Sequence, residues 1–151
     1  MIVKIYTDGS AVSQGDNKGL GGIGVVFTIN DEVKRVISKG YSNTKTGRME
    51  LIAALSALTI LKKDCKAIIC SDSMYVVNSF NKMWIHNWNR QKFQTCKNGD
   101  IMGKLFREYS KFPKGFIQFL HVKGHSGNEF NELADRLANY KNFTIFTQDG
   151  Q

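Results

Sequence analysis

The sequence has 151 residues, which is enough for one domain with a substantial core and too few for two. Its composition, 42% hydrophobic and 23% charged residues, is typical of a globular protein and not of a disordered chain. Lys and Arg number 21 against 13 for Asp and Glu, so the net charge is +8. A domain this basic usually meets a polyanion, most often nucleic acid.

Three protein classes are excluded by simple patterns. No apolar run reaches the length of a membrane span, and the N-terminus lacks the basic and apolar regions of a signal peptide. The three cysteines are odd in number and lack metal-ligand spacing, which argues against a secreted disulfide scaffold and a zinc finger. We therefore expect a cytoplasmic protein with reduced thiols and no membrane partner.

The first third of the chain predicts an antiparallel meander. Alternation over residues 3–8 predicts a strand that Gly9 and Ser10 end. A second strand is predicted at 23–29, after a glycine-rich turn. Asp31 then marks a hairpin turn into a third strand at 33–41.

The remaining sequence alternates helices and strands. An apolar stripe at helical spacing predicts a helix over 48–63, and short apolar runs predict strands at 67–70 and 116–122. Helices are predicted at 74–80, around Trp84, around Leu105 and at 128–140, with a loop at 124–127. This order indicates an α/β domain over residues 1–141, with a five-stranded mixed sheet and helices on both faces. Residues 142–151 are expected to form a flexible tail.

Four acidic residues occupy positions suited to a shared site. Asp8 lies late on the first strand, and Glu50 is expected in the first turn of the first long helix. Asp72 follows a buried strand, at the sheet edge where α/β proteins bind ligands. Asp135 lies one turn after Asn131 on the last helix, so the two share a face.

Each of these residues also has a simpler explanation when it is taken alone. Asp8 could form a turn, and Glu50 could be a helix charge favoured by the dipole. Asp72 could cap the following helix, and Asp135 could be a solvated helix charge. His125 alone would be an ordinary loop residue.

The local contexts of these residues, taken together, indicate a family. The sequence reads YTDGS at 6–10, GRMEL at 47–51, CSDS at 70–73, WIHNW at 84–88 and HVKGHSG at 121–127, followed by Asn131 and Asp135. The order, spacing and neighbours of these motifs resemble the type 1 ribonuclease H family, from about Ile2 to about Tyr140. The resemblance implies a sheet in which an antiparallel three-strand meander is joined by two parallel strands.

The resemblance also implies an activity and a set of catalytic residues. The family hydrolyses the RNA strand of RNA–DNA hybrids with two divalent ions and leaves 5′-phosphate and 3′-hydroxyl ends. Carried over, the metal-binding and catalytic acids are Asp8, Glu50, Asp72 and Asp135, with Asp8 bridging the ions. His125 assists proton transfer or product release. The implied cofactor is Mg²⁺, with Mn²⁺ as an alternative.

The chemistry explains why carboxylates are needed. Hydroxide attack on a phosphodiester brings two anions together, and two divalent ions relieve this repulsion. Mg²⁺ prefers hard oxygen ligands, so Asp and Glu suit it. Four carboxylates in one pocket repel one another, which favours a site made for cations.

Residues 82–114 carry eight basic residues and two acids, with aromatic residues between them. This pattern favours a groove that follows a phosphate backbone. The resemblance implies a set of substrate-binding residues within this segment and outside it, namely Gly9, Ser10, Arg48, Met74, Trp84, Asn87, Trp88, Arg90, Lys92 and Asn131. Thr46 and Gly47 replace a pair of asparagines common in the family, so Thr44 or Lys45 is expected to make the phosphate contact instead.

Three alternatives remain open at this point. The chain could be a non-catalytic nucleic-acid-binding member of the fold, although no acid is missing. It could be the nuclease domain of a reverse transcriptase, although 151 residues that start at Met1 favour a free-standing enzyme. Because the first strand begins at the N-terminus, we expect no separate hybrid-binding domain, and we expect a monomer. Transposase and integrase cores share the sheet but lack the Gly124-His125 loop combined with Asn131 and Asp135.

Overall fold

The computed structural model describes residues 1–124 and 127–150. The strands are β1 (Ile2–Ala11), β2 (Gly21–Ile29), β3 (Glu32–Ser42), β4 (Lys66–Ser71), β5 (Ile117–His121) and β6 (Thr147–Gln148). The helices are α1 (Thr46–Ile60), α2 (Met74–Asn81), α3 (Trp84–Arg90), α4 (Gly99–Ser110) and α5 (Glu129–Ala138), with a 3₁₀ turn at Tyr140–Asn142. Within the described ranges, no helix is both long and apolar enough to cross a membrane.

The strands form one mixed sheet in the order β5-β4-β1-β2-β3-β6. β1, β2 and β3 pair antiparallel, which confirms the predicted meander. β4 pairs parallel with β1, and β5 pairs parallel with β4, as expected. The sheet therefore places the carboxyl ends of β1 and β4 side by side at its centre.

The sixth strand corrects the prediction of five strands and of a flexible tail. Residues Thr147–Gln148 pair parallel with Tyr41 and Ser42 of β3. The next residue, Asp149, is only 4% exposed, and its backbone N–H donates to the carbonyl of Ser42. A two-residue strand is too short to show an alternating pattern, and the partner that allows an aspartate to be buried is not visible in the local sequence.

Two layers of helices cover the sheet. Helices α1 to α4 lie on one face and enclose the main core, whose fully buried side chains include Ile5, Met49, Leu58 and Ile69. On the other face, α5 covers a smaller cluster built on Tyr6, Val26, Cys70 and Ala134. The helices on both faces confirm the predicted architecture. β1 thus lies between α1 and α5.

β1 continues through Gly9 and Ser10 to Ala11, and does not end at Gly9 as the sequence suggested. Gly9 pairs with Ile23 of β2. A Cβ atom at Gly9 would lie 2.3 Å from the carbonyl carbon of Met49, so any side chain there would push α1 away. The glycine is explained by close packing of α1 and not by a turn.

A second glycine allows α5 to approach from the opposite face. Gly24 is the β2 partner of Asp8, and a Cβ atom there would lie 2.1 Å from the carbonyl oxygen of Ala134. Removing the side chain at this position lets the α5 backbone rest on the sheet. The two close approaches bring α1 and α5 to either side of β1 next to Asp8.

Candidate active site

Four elements carry the predicted acids to one place. Thr7 of β1 pairs with Ser71 of β4, so Asp8 and Asp72 each follow a paired residue on neighbouring parallel strands. α1 supplies Glu50 and α5 supplies Asp135. All four acids line one cavity of about 600 Å³, together with Gly9 and Ser10.

Three of these acids form a compact cluster. One carboxylate oxygen from each of Asp8, Glu50 and Asp72 lies within 4.8 Å of the other two. Asp8 is 6% exposed and Glu50 is 8% exposed. Asp135 is exposed and lies outside this triplet, but its side chain interacts with that of Asp8. The cluster therefore has a buried floor and an open side.

The simpler explanations for three acids are wrong. Asp8 lies inside a strand and opposite Gly24, so it does not form a turn. α1 begins at Thr46, which places Glu50 beyond the first turn in which the sequence predicted it. The cap of α2 is Ser73, whose hydroxyl accepts from the backbone N–H of Val76, and not Asp72. Local helix or turn chemistry therefore does not account for these carboxylates.

A single backbone group holds two of the carboxylates. The N–H of Gly9 donates to Oδ1 of Asp8 at 2.8 Å and to Oε1 of Glu50 at 3.0 Å. The other Glu50 oxygen, Oε2, is buried and has no hydrogen-bond partner among the described residues. An unpaired buried carboxylate oxygen is costly, so this atom is suited to a ligand that supplies positive charge.

Burial and like charges make the cluster difficult to ionise. Burial, together with the nearby charge of Asp72, raises the pKa of Asp8 to about 7, although the hydrogen bond from Gly9 acts in the opposite direction. Burial also raises the pKa of Glu50, with added contributions from the carboxyls of Asp8 and Asp72. Since a bound divalent cation would reverse both effects, an all-oxygen donor set of this kind fits Mg²⁺ or Mn²⁺.

Five further residues line the same cavity, namely Thr46, Gly47, Ser73, Tyr75 and Lys97. The hydroxyl of Tyr75 on α2 donates to the carbonyl of Lys97 at 3.2 Å and ties the segment before α4 to the site. Lys97 was visible only as one of the basic residues of 82–114. Tyr75 carried no signal, because its position depends on how α2 packs.

Arg48, which the sequence predicted to bind substrate, does not line the cavity. Its guanidinium is 5% exposed and forms ion pairs with Asp149 at 2.7 Å and Asp100 at 2.8 Å. Thr44 is buried as well, and its hydroxyl donates to Asp149 at 2.7 Å. Of the two residues expected to replace the missing asparagines, only the exposed Lys45 can therefore reach a phosphate.

Two further residues that were predicted to bind substrate, Met74 and Asn131, differ in their exposure. Met74 is 49% exposed beside the site, whereas Asn131 is 2% exposed and its Oδ1 has no partner among the described residues. His125 lies outside the described residues. The residue before it, Gly124, lies against Asp72, since a Cβ there would be 3.0 Å from Asp72 Oδ2.

The predicted contacts of the basic segment lie outside the cavity lining. Trp84 is 37% exposed, and its ring lies 6.3 Å from that of the partly buried Trp88. The side chain of Arg90 donates to that of Asn87. Lys92 is exposed and has a left-handed backbone, with φ of 56°. These residues form a separate surface on α3 and the loop after it.

Comparisons with known proteins agree on one family. The RNase H family model matches residues 1–142. Ribonuclease H of Clostridium botulinum strain Hall is 36% identical over 139 residues, which cover 91% of this chain and 93% of that protein. Ribonuclease H of Caldanaerobacter subterraneus subsp. tengcongensis is 40% identical over 139 residues, with coverage of 91% and 88%.

A solved structure shares the fold. The crystal structure of LC11-RNase H1 in complex with an RNA/DNA hybrid matches with a TM-score of 0.69 at 22% identity, covering 90% of this chain and 93% of that one. The family match spans the strands and helices that carry all four acids of the cavity. The chain belongs to the RNase H family.

Proposed function

We propose that this protein hydrolyses the RNA strand of RNA–DNA hybrids, with divalent ions held by Asp8, Glu50, Asp72 and Asp135. The observation that carries the proposal is the three-carboxylate cluster, whose ligand atoms lie within 4.8 Å of one another. Family membership supports the same conclusion, as does a relative of the same fold whose structure contains an RNA/DNA hybrid.

The donor set favours two ions, with Mg²⁺ as the natural choice and Mn²⁺ as a substitute. When bound, the ions supply a hydroxide from coordinated water and neutralise charge on the leaving 3′-oxygen. The N–H of Gly9 orients Asp8 and Glu50 for this task. Attack by water leaves a 5′-phosphate and a 3′-hydroxyl. Asp8 is the central ligand, because its carboxyl interacts with those of Glu50, Asp72 and Asp135.

Two separate surfaces bind the hybrid, one for each of its strands. Gly9 and Ser10 line the cavity, where the RNA strand is read through its 2′-hydroxyls. The exposed Met74 extends this surface beside the third acid. Trp84 and the basic residues of α3 and its loop hold the DNA strand through stacking and phosphate contacts.

His125 and Asn131 complete the proposed machinery in different ways. His125 moves a proton or aids product release, and its neighbour Gly124 lies against Asp72. Asn131 is buried, so its role is to support the face of α5 that carries Asp135 and not to make an extended contact with the substrate.

The proposal is tested by incubating the protein with end-labelled RNA–DNA hybrid, duplex RNA and duplex DNA, each with Mg²⁺ and with chelator. We expect cleavage of the hybrid RNA strand alone, and only with the metal. Asp72→Asn should bind hybrid but lose nearly all cleavage, because it removes a metal charge and leaves the α3 surface intact. Cleavage by Asp72→Asn near the wild-type rate would refute the metal-site assignment.

The same experiment distinguishes the non-catalytic alternative. A binding-only member of the fold would retain the hybrid without cutting it under any metal condition. The intact set of four acids in one cavity favours the enzyme.

A further inference from the structure

A cluster of ion pairs is centred on Arg48, which follows the cavity-lining residue Gly47 on α1. Arg48 Nε donates to Asp149 Oδ2 at 2.7 Å, and Nη2 donates to Asp149 Oδ1 at 3.0 Å. The same guanidinium donates to both oxygens of Asp100 at 3.0 Å and 2.8 Å, and to Asn98 Oδ1 at 3.4 Å. Thr44 adds a hydrogen bond to Asp149. Arg48 thus joins α1, the start of α4 and the C-terminal segment.

Two of the three charged residues of the cluster are well buried, whereas the side chain of Asp100 is 48% exposed. Arg48 and Asp149 are each 4% exposed. Such charges are tolerated when geometry is bidentate and the remaining donors are matched, as they are here. Although burial alone would raise the pKa of Asp149, hydrogen bonds from Arg48 and Thr44 hold it below its ordinary value. Removing the charge of Asp149 would leave the buried Arg48 with Asp100 as its acidic partner among the described residues.

The position of Arg48 on α1 connects this cluster to the reaction. Arg48 lies between Gly47, which lines the cavity, and Glu50, two residues further along the helix. Thr46, in the same turn, accepts from the backbone N–H of Ala11 at 3.0 Å. The first turn of α1 is therefore held by β1 on one side and by the C-terminal segment on the other.

We propose that Asp149 is a positioning residue for the active site, which acts through Arg48 to fix the first turn of α1 and hence the carboxylate of Glu50. The C-terminal residues are then part of the support of the metal-binding cluster and not a disposable tail. This inference rests on the proposed function, because it assigns Glu50 to metal binding.

The chain supplies a matched control at the other end of the same two helices. Glu108 of α4 pairs with Lys63, which follows α1, at 3.1 Å and with Lys111 at 2.9 Å. Glu108→Gln therefore removes an acidic partner that links α1 and α4 far from the cavity. Asp149→Asn removes one next to it, with almost no change of shape.

The test measures Mg²⁺ binding and catalysis separately. The Mg²⁺ concentration that gives half of the maximal thermal stabilisation reports binding without substrate. For Asp149→Asn we expect it to rise about tenfold, the lower end of the effect of outer-shell partners on metal sites. The kcat should fall in parallel while KM for the hybrid is unchanged. Glu108→Gln should lower the melting temperature but leave the Mg²⁺ midpoint and kcat at wild-type values.

Each other outcome has a defined meaning. A wild-type Mg²⁺ midpoint and kcat in folded Asp149→Asn overturns the proposal, as does an equal change in Glu108→Gln. If Asp149→Asn does not fold, Thr44→Val removes one hydrogen bond and should shift the midpoint in the same direction by less; no shift overturns the proposal. A wild-type protein that binds Mg²⁺ but does not cut hybrid defeats the proposed function and leaves the Mg²⁺ readout of Asp149 intact.

Discussion

At the scale of single residues, the active site places buried carboxylates against one another. Asp8 and Glu50 share the Gly9 N–H, and one Glu50 oxygen has no described partner. This arrangement costs free energy in the metal-free protein because both acids are buried and face like charges. A bound cation recovers that cost, so the fold holds the site in a form that favours metal binding.

Asp8→Asn tests this view of the site. Removing the central charge while keeping the shape should stabilise the metal-free protein by about 1–2 kcal/mol, the scale of relieved strain at a functional site. Mg²⁺ should raise the melting temperature of the wild type more than that of the variant, which has lost a ligand. Melting curves in chelator and in millimolar Mg²⁺ measure both effects. A variant that melts lower in chelator, with the wild-type response to Mg²⁺, would contradict the carboxylate-cluster model.

His125→Ala tests a different role. A residue that assists proton transfer contributes about 10²–10⁴-fold, so turnover should slow by no more than that. Thermal stabilisation by Mg²⁺ should be unchanged, because the carboxylates remain. A complete loss of cleavage, equal to that of Asp72→Asn, would instead make His125 part of the metal site. Single-turnover kinetics on labelled hybrid provide the comparison.

The sequence predicts that the four acids lie together, as they do in the cavity, because three of them lie in short motifs that can be read from adjacent residues. It does not predict the environment of Arg48, because the partner Asp149 lies 101 residues away in the sequence. A basic residue beside a catalytic acid is more simply explained as a substrate contact. Only the three-dimensional structure reveals that its charge is already neutralised.

At the scale of secondary-structure elements, two close approaches position the site. Because they lack side chains, Gly9 and Gly24 allow α1 and α5 to pack closely against opposite faces of the sheet next to β1. Strand periodicity predicts the central strands and their antiparallel pairing. It misses the extension of β1 through Gly9, because glycine is more typical of turns than of strands. It also misses β6, which is defined by two backbone pairings and not by side-chain pattern.

The α3 surface makes a separate prediction. Replacing Arg90 and Lys92 with Gln should raise KM and reduce the salt dependence of hybrid binding. The slope should fall by up to ~0.9 for each phosphate that the protein no longer neutralises, if the hybrid behaves like duplex DNA. Cleavage at saturating hybrid should barely change. The matched control replaces Lys34 and Arg35 on β3, which lies near the opposite edge of the sheet from β5. An unchanged salt slope for the α3 variant, or an equal change for the control, would place Arg90 and Lys92 outside the footprint.

At the scale of the whole molecule, two groups of acids make stability depend on pH in opposite directions. Hydrogen bonds from Arg48 lower the pKa of Asp100, and the buried Asp149 is also held below its ordinary value. Their contribution to stability is present above about pH 4 and is lost at lower pH. Asp8 behaves oppositely, since burial raises its pKa to about 7 in the folded protein.

The metal-free protein should therefore become less stable as pH rises from about 4 to about 7, because over this range the folded state holds a proton on Asp8 that the unfolded chain has released. In Asp8→Asn this loss of stability with rising pH should be smaller. Chemical denaturation of both proteins in chelator, at several pH values, provides the test. Parallel profiles for the two proteins would show that Asp8 is not the titrating group.

In the proposed function, the net charge of +8 serves to bind a polyanion, and the acids that line the cavity serve to hold cations at one point on it. Composition and motif order predict this division. The sequence does not predict how the C-terminal segment supports α1, because a buried ion pair depends on packing that brings distant residues together.

The chemistry of the RNA ends tests the central claim most directly. Wild-type protein is incubated with hybrid whose RNA is labelled at either end, in Mg²⁺ and in chelator, and the product termini are identified. Metal-assisted attack by water predicts 5′-phosphate and 3′-hydroxyl ends, formed only with Mg²⁺. Products with 2′,3′-cyclic phosphate ends would mean that the 2′-hydroxyl is the nucleophile, and the same fragments in chelator would mean that cleavage needs no metal. Either result would contradict the assignment of the carboxylate cluster.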